Sequence, residues 1–136
     1  METKMVITIN DYQRLIGMME FTPLKMKMPK IVSRLYEEIM TAKILPQEDI
    51  SRHVITMNSR VLLKDISNDR EAELTITYPD DANSRERKVS VFSLIGIALL
   101  GKQSGDVVSW KTPIGIGRFE ILKVTYQPES VGHYSL

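Results

Sequence analysis

The sequence predicts an α+β protein: a short N-terminal antiparallel helical hairpin, followed by an antiparallel sheet packed on one short helix. Three observations predict it. Between residues 10 and 45 the apolar positions recur every three or four residues, the period of a helix face. After Gln47-Glu48-Asp49 the period falls to two, as in half-buried strands. A short apolar run, Leu94 to Leu99, then interrupts the strands between a serine and a glycine.

Met5-Val6-Ile7-Thr8-Ile9 reads as a short strand or extended lead-in. Asn10 is the expected cap of the first helix, with Gln13 three residues on as in a capping box. Tyr12, Leu15, Ile16 and Met19 then form an apolar stripe over two turns. Residues 21–28 break the pattern, and Pro29 suits the first turn of a second helix. There Met28, Val32, Leu35, Ile39 and Ala42 are spaced 4-3-4-3, the seam of an antiparallel helix pair, and Pro46 is the expected stop. Helices of about eleven and about sixteen residues would span roughly 16 and 24 Å.

In the second half, Ala72, Leu74, Ile76 and Tyr78 alternate with polar residues, so this segment is a strand with one buried face. Pro79 to Ser84 has the chemistry of a loop, and Lys88 to Phe92 returns as a strand. Ser93 can accept a free N–H at the start of the short helix, and Gly101 can take the left-handed conformation that ends it. Gly105-Asp106 turns the chain into the β-former run Val107-Val108-Ser109-Trp110. Pro113 to Gly117 is a glycine-rich turn into Arg118–Leu122, where a phase shift between Ile121 and Leu122 predicts a bulge.

Composition narrows the classes of function. The chain has 136 residues, 43% hydrophobic and 26% charged, which fits an ordinary globular domain rather than a disordered chain. Its net charge of +1 provides no overall field to recruit nucleic acid or an anionic membrane, so DNA binding is not expected. The absence of cysteine excludes disulfides and thiolate metal sites. The start Met-Glu-Thr-Lys makes a poor signal peptide, and no apolar run approaches the ~20 residues that span a bilayer, so the expected location is cytoplasmic.

Signals for catalysis are weak. His53 and His133 have no second ligand nearby in sequence and read as solvent-facing or locally bonded imidazoles, so no metal or other cofactor is expected. Gly-x-Ser-x-Gly is absent. Gly115-Ile116-Gly117 lacks the third glycine and the strand–helix context of a dinucleotide fingerprint, and reads as a hairpin turn. Ser67-Asn68-Asp69-Arg70 reads as a turn.

One longer pattern is more specific. The run Ser93-Leu94-Ile95-Gly96-Ile97-Ala98-Leu99-Leu100-Gly101-Lys102-Gln103-Ser104-Gly105-Asp106 resembles the C-terminal domain of the bacterial Gre transcription factors. Val54 to Val61, Tyr126-Gln127-Pro128-Glu129 and Gly132 to Leu136 are similar to the Rnk-like, or regulator of nucleoside diphosphate kinase, branch of that family. The resemblance covers residues 51–136 well, and 5–50 only in their order of elements. It implies a helical arm over residues 1–50 and an FKBP-like domain over residues 51–136. The implied partner is RNA polymerase, bound near its secondary channel in competition with Gre factors.

The departures from the Gre pattern matter as much. Transcript-cleaving members place acidic residues at the tip of a long hairpin, where they help hold a catalytic Mg²⁺, a cation that prefers carboxylate oxygens. Here the expected tip carries Lys25, Lys27 and Lys30, with Glu20 as the nearest acid, so the resemblance implies a protein that is not an enzyme. The three lysines are candidates for contact with phosphates or an acidic groove, or else form a solvated loop. The Gre pattern usually has proline after the capping serine, where this chain has Leu94. The resemblance makes this helix start, Phe92 through Ile95, a candidate polymerase contact, with Leu94 either an apolar anchor or a buried side chain. Ile95, Ala98 and Leu99 are expected to face the sheet, and Phe92, Ser93 and Leu94 are the residues assigned to the partner. Two other readings stand beside this one: a peptidyl-prolyl isomerase, by fold analogy, and a regulator of nucleotide metabolism, by the name of the branch.

Overall fold

The computed structural model describes residues 5–20 and 30–134. The chain enters as strand β1 (Val6–Thr8) and passes directly into helix α1 (Ile9–Glu20). Thr8, not Asn10, caps this helix: its hydroxyl oxygen accepts the main-chain N–H of Asp11 at 3.1 Å. Thr8 holds the last strand position, so its side chain is the first to reach the free N–H groups, and Asn10 lies inside the helix, exposed. Leu15 and Met19 are buried, with Tyr12 and Ile16 packed beside them, as the stripe predicts.

Helix α2 (Lys30–Met40) buries Val32, Leu35 and Ile39 against α1 and the rest of the core. Met28 and Pro29 lie outside the described residues. The helix stops at Met40, six residues before Pro46. Thr41 is one cause: its hydroxyl donates to the carbonyls of Glu37 and Glu38, and its N–H bonds to Glu38 in a tightened last turn. Strand pairing is the other. Lys43–Leu45 forms β2, which runs parallel to β1 in the register Val6↔Lys43 to Thr8↔Leu45. The two helices have 12 and 11 residues, lengths of about 18 and 17 Å.

Residues 54–59 cross the core without joining a strand; Val54, Ile55, Thr56, Met57 and Ser59 are buried there. Five strands follow: β3 (Arg60–Asp65), β4 (Glu71–Thr77), β5 (Lys88–Ser90), β6 (Val107–Thr112) and β7 (Gly115–Tyr126), in the sheet order β5-β4-β3-β7-β6. The β3–β4, β3–β7 and β6–β7 ladders are antiparallel. The all-antiparallel expectation needs one correction, because β5 pairs parallel with β4 from Thr75↔Lys88 to Thr77↔Ser90. The connection folds back through the 3-10 turns Pro79–Asp81 and Ser84–Glu86, so β5 starts level with Thr75 and runs the same way.

The predicted bulge is present. Leu62 pairs with Lys123 and Leu63 with Ile121, which leaves Leu122 as the extra residue on β7. A second shift leaves out Thr125 between Val124 and Tyr126. Both bulges increase the local twist of the sheet.

Helix α3 (Leu94–Leu99) packs on β5 and β6. Gly96 makes the close approach possible, since a Cβ there would strike the Ser90 carbonyl and Val91 Cα. Gly101, at φ +78°, ends the segment in the left-handed region and lies against Met5, which fills the space a side chain would need. The core is continuous across residue 50: Met5, Ile7, Leu15 and Leu35 belong to the same buried cluster as Ile55, Leu99 and Ile121.

Candidate partner-binding site

The start of α3 is fixed by four hydrogen bonds within the seven residues from Ser90 to Gly96. The Ser93 hydroxyl accepts the Gly96 N–H at 3.0 Å and donates to the Ser90 carbonyl at 2.7 Å. The Ser93 N–H donates to the same carbonyl at 3.0 Å, and the Ser90 hydroxyl accepts the Phe92 N–H at 3.0 Å. A serine at each end of the turn therefore replaces free main-chain motion with a locked knuckle. Phe92 packs, partly buried, on the core. Leu94, the first helical residue, points outward with 47% of its surface exposed. The fold thus presents an apolar side chain on a rigid mount, the arrangement that anchors a protein interface at low entropic cost.

The structure brings Phe92, Ser93 and Leu94 together in that knuckle. Lys30 stands apart from it, exposed at the first position of α2. Lys25 and Lys27 lie outside the described residues. Ile97 and Leu99 are fully inside, while Ile95 and Ala98 are partly buried against the core.

A buried polar cluster ties the N-terminal helix to the sheet domain, and the sequence reading passed over it. Asp11 is 3% exposed, and its Oδ2 accepts the Met57 N–H at 3.0 Å. Burial raises the Asp11 carboxyl pKa to about 6, although the Met57 N–H favours the ionised form; desolvation outweighs that hydrogen bond. The Tyr78 phenol is raised too, first by burial and then by the Asp11 charge, and the Arg14 guanidinium lies 4.2 Å from the centre of its ring.

Around the same loop, Thr56 Oγ1 donates to Glu129 Oε1 at 2.7 Å, and Ser59 Oγ accepts the Thr56 N–H at 2.9 Å. With its own proton given to Glu129, Thr56 Oγ1 accepts from the Ser59 hydroxyl 2.8 Å away. Gln127 Nε2 donates to the carbonyls of Ser51 and Val54, each at 2.7 Å. The loop at 51–59 is therefore held from both sides, by α1 and by the C-terminal segment. One sequence signal was available: Asp11, Leu15 and Met19 are spaced four apart, which puts Asp11 on the buried stripe.

The histidines are locally bonded or exposed. His133 Nδ1 lies 2.7 Å from the Tyr126 hydroxyl, and His53 is at the surface. Among the described residues no group of three or more His, Cys, Asp or Glu is placed to hold a metal ion. No helix among them is long and apolar enough to cross a membrane.

Two N-terminal helices, a curled five-stranded sheet and a capped short helix packed on it describe a Gre-type transcription factor. Residues 50–126 match the family described as transcription elongation factor, GreA/GreB, C-terminal, and the chain belongs to that family. Within it, the chain is 35% identical over 107 residues to the regulator of nucleoside diphosphate kinase of Escherichia coli K12, covering 78% of this chain and 79% of that one. It is 41% identical over 93 residues to the transcription elongation factor GreA of Chloroherpeton thalassium, covering 68% of this chain and 59% of that protein. The solved structure of a GreA/GreB elongation factor from Nitrosomonas europaea superposes with a TM-score of 0.76 at 33% identity, over 92% of this chain and all of that one. The GreA factor homologue Gfh1 of Thermus thermophilus, at 23% identity and a TM-score of 0.51, shares the fold over 91% of this chain and all of that one.

Proposed function

We propose that this protein is a transcription regulator that docks on RNA polymerase near the secondary channel, competes there with Gre factors and does not itself promote transcript cleavage. The observation that carries the reading is the knuckle at Ser90–Ser93, which holds Leu94 outward from a domain of the GreA/GreB family. Phe92 supports the contact from below. The two-part organisation, an arm over residues 1–50 and a docking domain over residues 51–136, is part of the proposal, as is action in the cytoplasm.

The absence of cleavage follows from reach and from chemistry. The described helices, Ile9–Glu20 and Lys30–Met40, are only about 18 and 17 Å long, which supports a short arm. The segment between them, residues 21–29, contains Lys25 and Lys27 and no Asp or Glu. A protonated lysine repels Mg²⁺ instead of coordinating it, so this end of the molecule lacks the ligands that a second catalytic metal needs. Lys25, Lys27 and Lys30 are assigned to contact with an acidic or phosphate-bearing surface of the polymerase.

Stalled, backtracked elongation complexes test this directly. Saturating amounts of the protein should leave transcript cleavage at its basal rate and should inhibit cleavage stimulated by a true Gre factor. Robust cleavage by the unmodified protein would contradict the proposal.

A further inference from the structure

The β6–β7 hairpin ends in side chains that serve nothing within the fold. Ile114 sits in the two-residue turn between Thr112 and Gly115 and is 98% exposed; Ile116, one residue into β7, is 77% exposed. Turns of this kind favour Gly, Asn, Asp or Pro, so a β-branched residue at position 114 gains nothing from local propensity. Ile116 faces Lys111 across the ladder, and Arg118 follows two residues on, opposite Ser109. Residues paired across strands, or two apart along one, share a face, so the apolar tip carries two cations on one shoulder. Both are exposed, and neither has an ion-pair partner among the described residues. The next acid on that face, Glu120, is already 3.6 Å from Lys64 Nζ.

The hairpin is braced. The Thr112 hydroxyl donates to the Gly115 carbonyl at 2.7 Å across the turn, and Gly115 has a φ of +128°. At its base, Trp110 and Phe119 stack with centroids 3.9 Å apart and planes 2° from parallel. Gly117, opposite Trp110, leaves room for this, because a Cβ there would strike the Phe119 ring. Ile114, Ile116 and Arg118 themselves form one wall of an open cavity of about 650 Å³, which Asp65, Ile66 and Phe119 also line. The tip thus combines a stiff base, an apolar end, a cationic shoulder and a recess that a partner side chain can enter.

We infer that this hairpin is a docking finger, with Ile114 and Ile116 inserting into an apolar cleft of RNA polymerase whose rim is acidic and faces Lys111 and Arg118. The inference rests on the polymerase reading above and adds a second contact to it, on a different element from Leu94. Charge complementarity selects the acidic rim: two unpaired cations flanking a buried apolar contact would otherwise be desolvated without compensation.

The test is the affinity of the full-length chain for core RNA polymerase. A variant carrying Ile114→Thr and Ile116→Thr keeps β-branched side chains and removes the apolar ends. It should bind roughly tenfold more weakly or worse, with an unchanged thermal midpoint. If its midpoint falls, Ile114→Thr alone carries the test, since that side chain is outside the core. Lys111→Glu with Arg118→Glu should weaken binding strongly at low salt and less at high salt. Binding of the isoleucine variant at wild-type strength overturns the finger and leaves the Leu94 contact standing. Failure of the unmodified chain to bind polymerase overturns both. Self-association or binding to anionic phosphatidylglycerol vesicles that disappears in the variant, with polymerase affinity unchanged, would place a second copy or a membrane at the tip and overturn the assignment.

Discussion

Asp11 Oδ2 accepts the main-chain N–H of Met57 at 3.0 Å, which joins the first turn of α1 to the loop that leads into the central strand of the sheet. The bond does two opposite things. It satisfies a buried N–H that would otherwise be unpaired, and it keeps a carboxylate in a place where ionisation is costly. The Glu129 charge adds to that cost, while Arg14 and the hydrogen bond to Thr8 offset part of it.

A pH dependence follows. The Asp11 pKa rises from 3.8 to about 6 on folding, so the folded state binds its proton more tightly than the unfolded chain does. The contribution to stability is fully present below about pH 4 and is lost as pH rises through about 6, a change on the order of 3 kcal/mol at 1.4 kcal/mol per unit. Asp11→Asn keeps an oxygen for the Met57 N–H and removes the charge. In denaturant titrations the variant should therefore gain stability relative to the wild type between pH 4 and pH 7. A difference that stays constant over that range would show that Asp11 does not titrate with folding.

Leu94→Glu should weaken binding to RNA polymerase while leaving the fold intact. The side chain is half exposed, and an acid in the first turn of a helix interacts favourably with the free N–H groups there. Polymerase affinity and the thermal midpoint, measured on the same preparation, separate the two roles. A cooperative transition lost in the variant would make Leu94 a core residue instead.

Leu35 and Ile39 are both fully buried on the inner face of α2. Replacing either with Ala should destabilise the protein by about 2–5 kcal/mol, through lost burial and the cavity left behind. A cost below about 1 kcal/mol, the scale of surface substitutions, would mean that the helix pair packs loosely.

Much of this fold could be read from contiguous residues. The stripes through Leu15 and Met19 and through Val32, Leu35 and Ile39, the Ser93 cap, the left-handed Gly101 and the bulge at Leu122 were all legible, because each depends on spacing within a single element. Tertiary structure decided the rest. Lys43–Leu45 became a strand because β1 offers an edge there, although the helical spacing runs on to Ala42. The direction of β5 was set by how the 3-10 turns between Pro79 and Glu86 fold back, which no alternation of side chains encodes. The site divides in the same way. Family resemblance offered Phe92, Ser93 and Leu94 as a candidate contact, and the four-residue spacing put Asp11 in line with Leu15 and Met19. Only the packed molecule brought the Met57 N–H to Asp11, turned Leu94 outward and left Ile114 exposed at the hairpin tip. Exposure and long-range hydrogen bonding are properties of which surfaces meet, and that is settled by the whole chain at once.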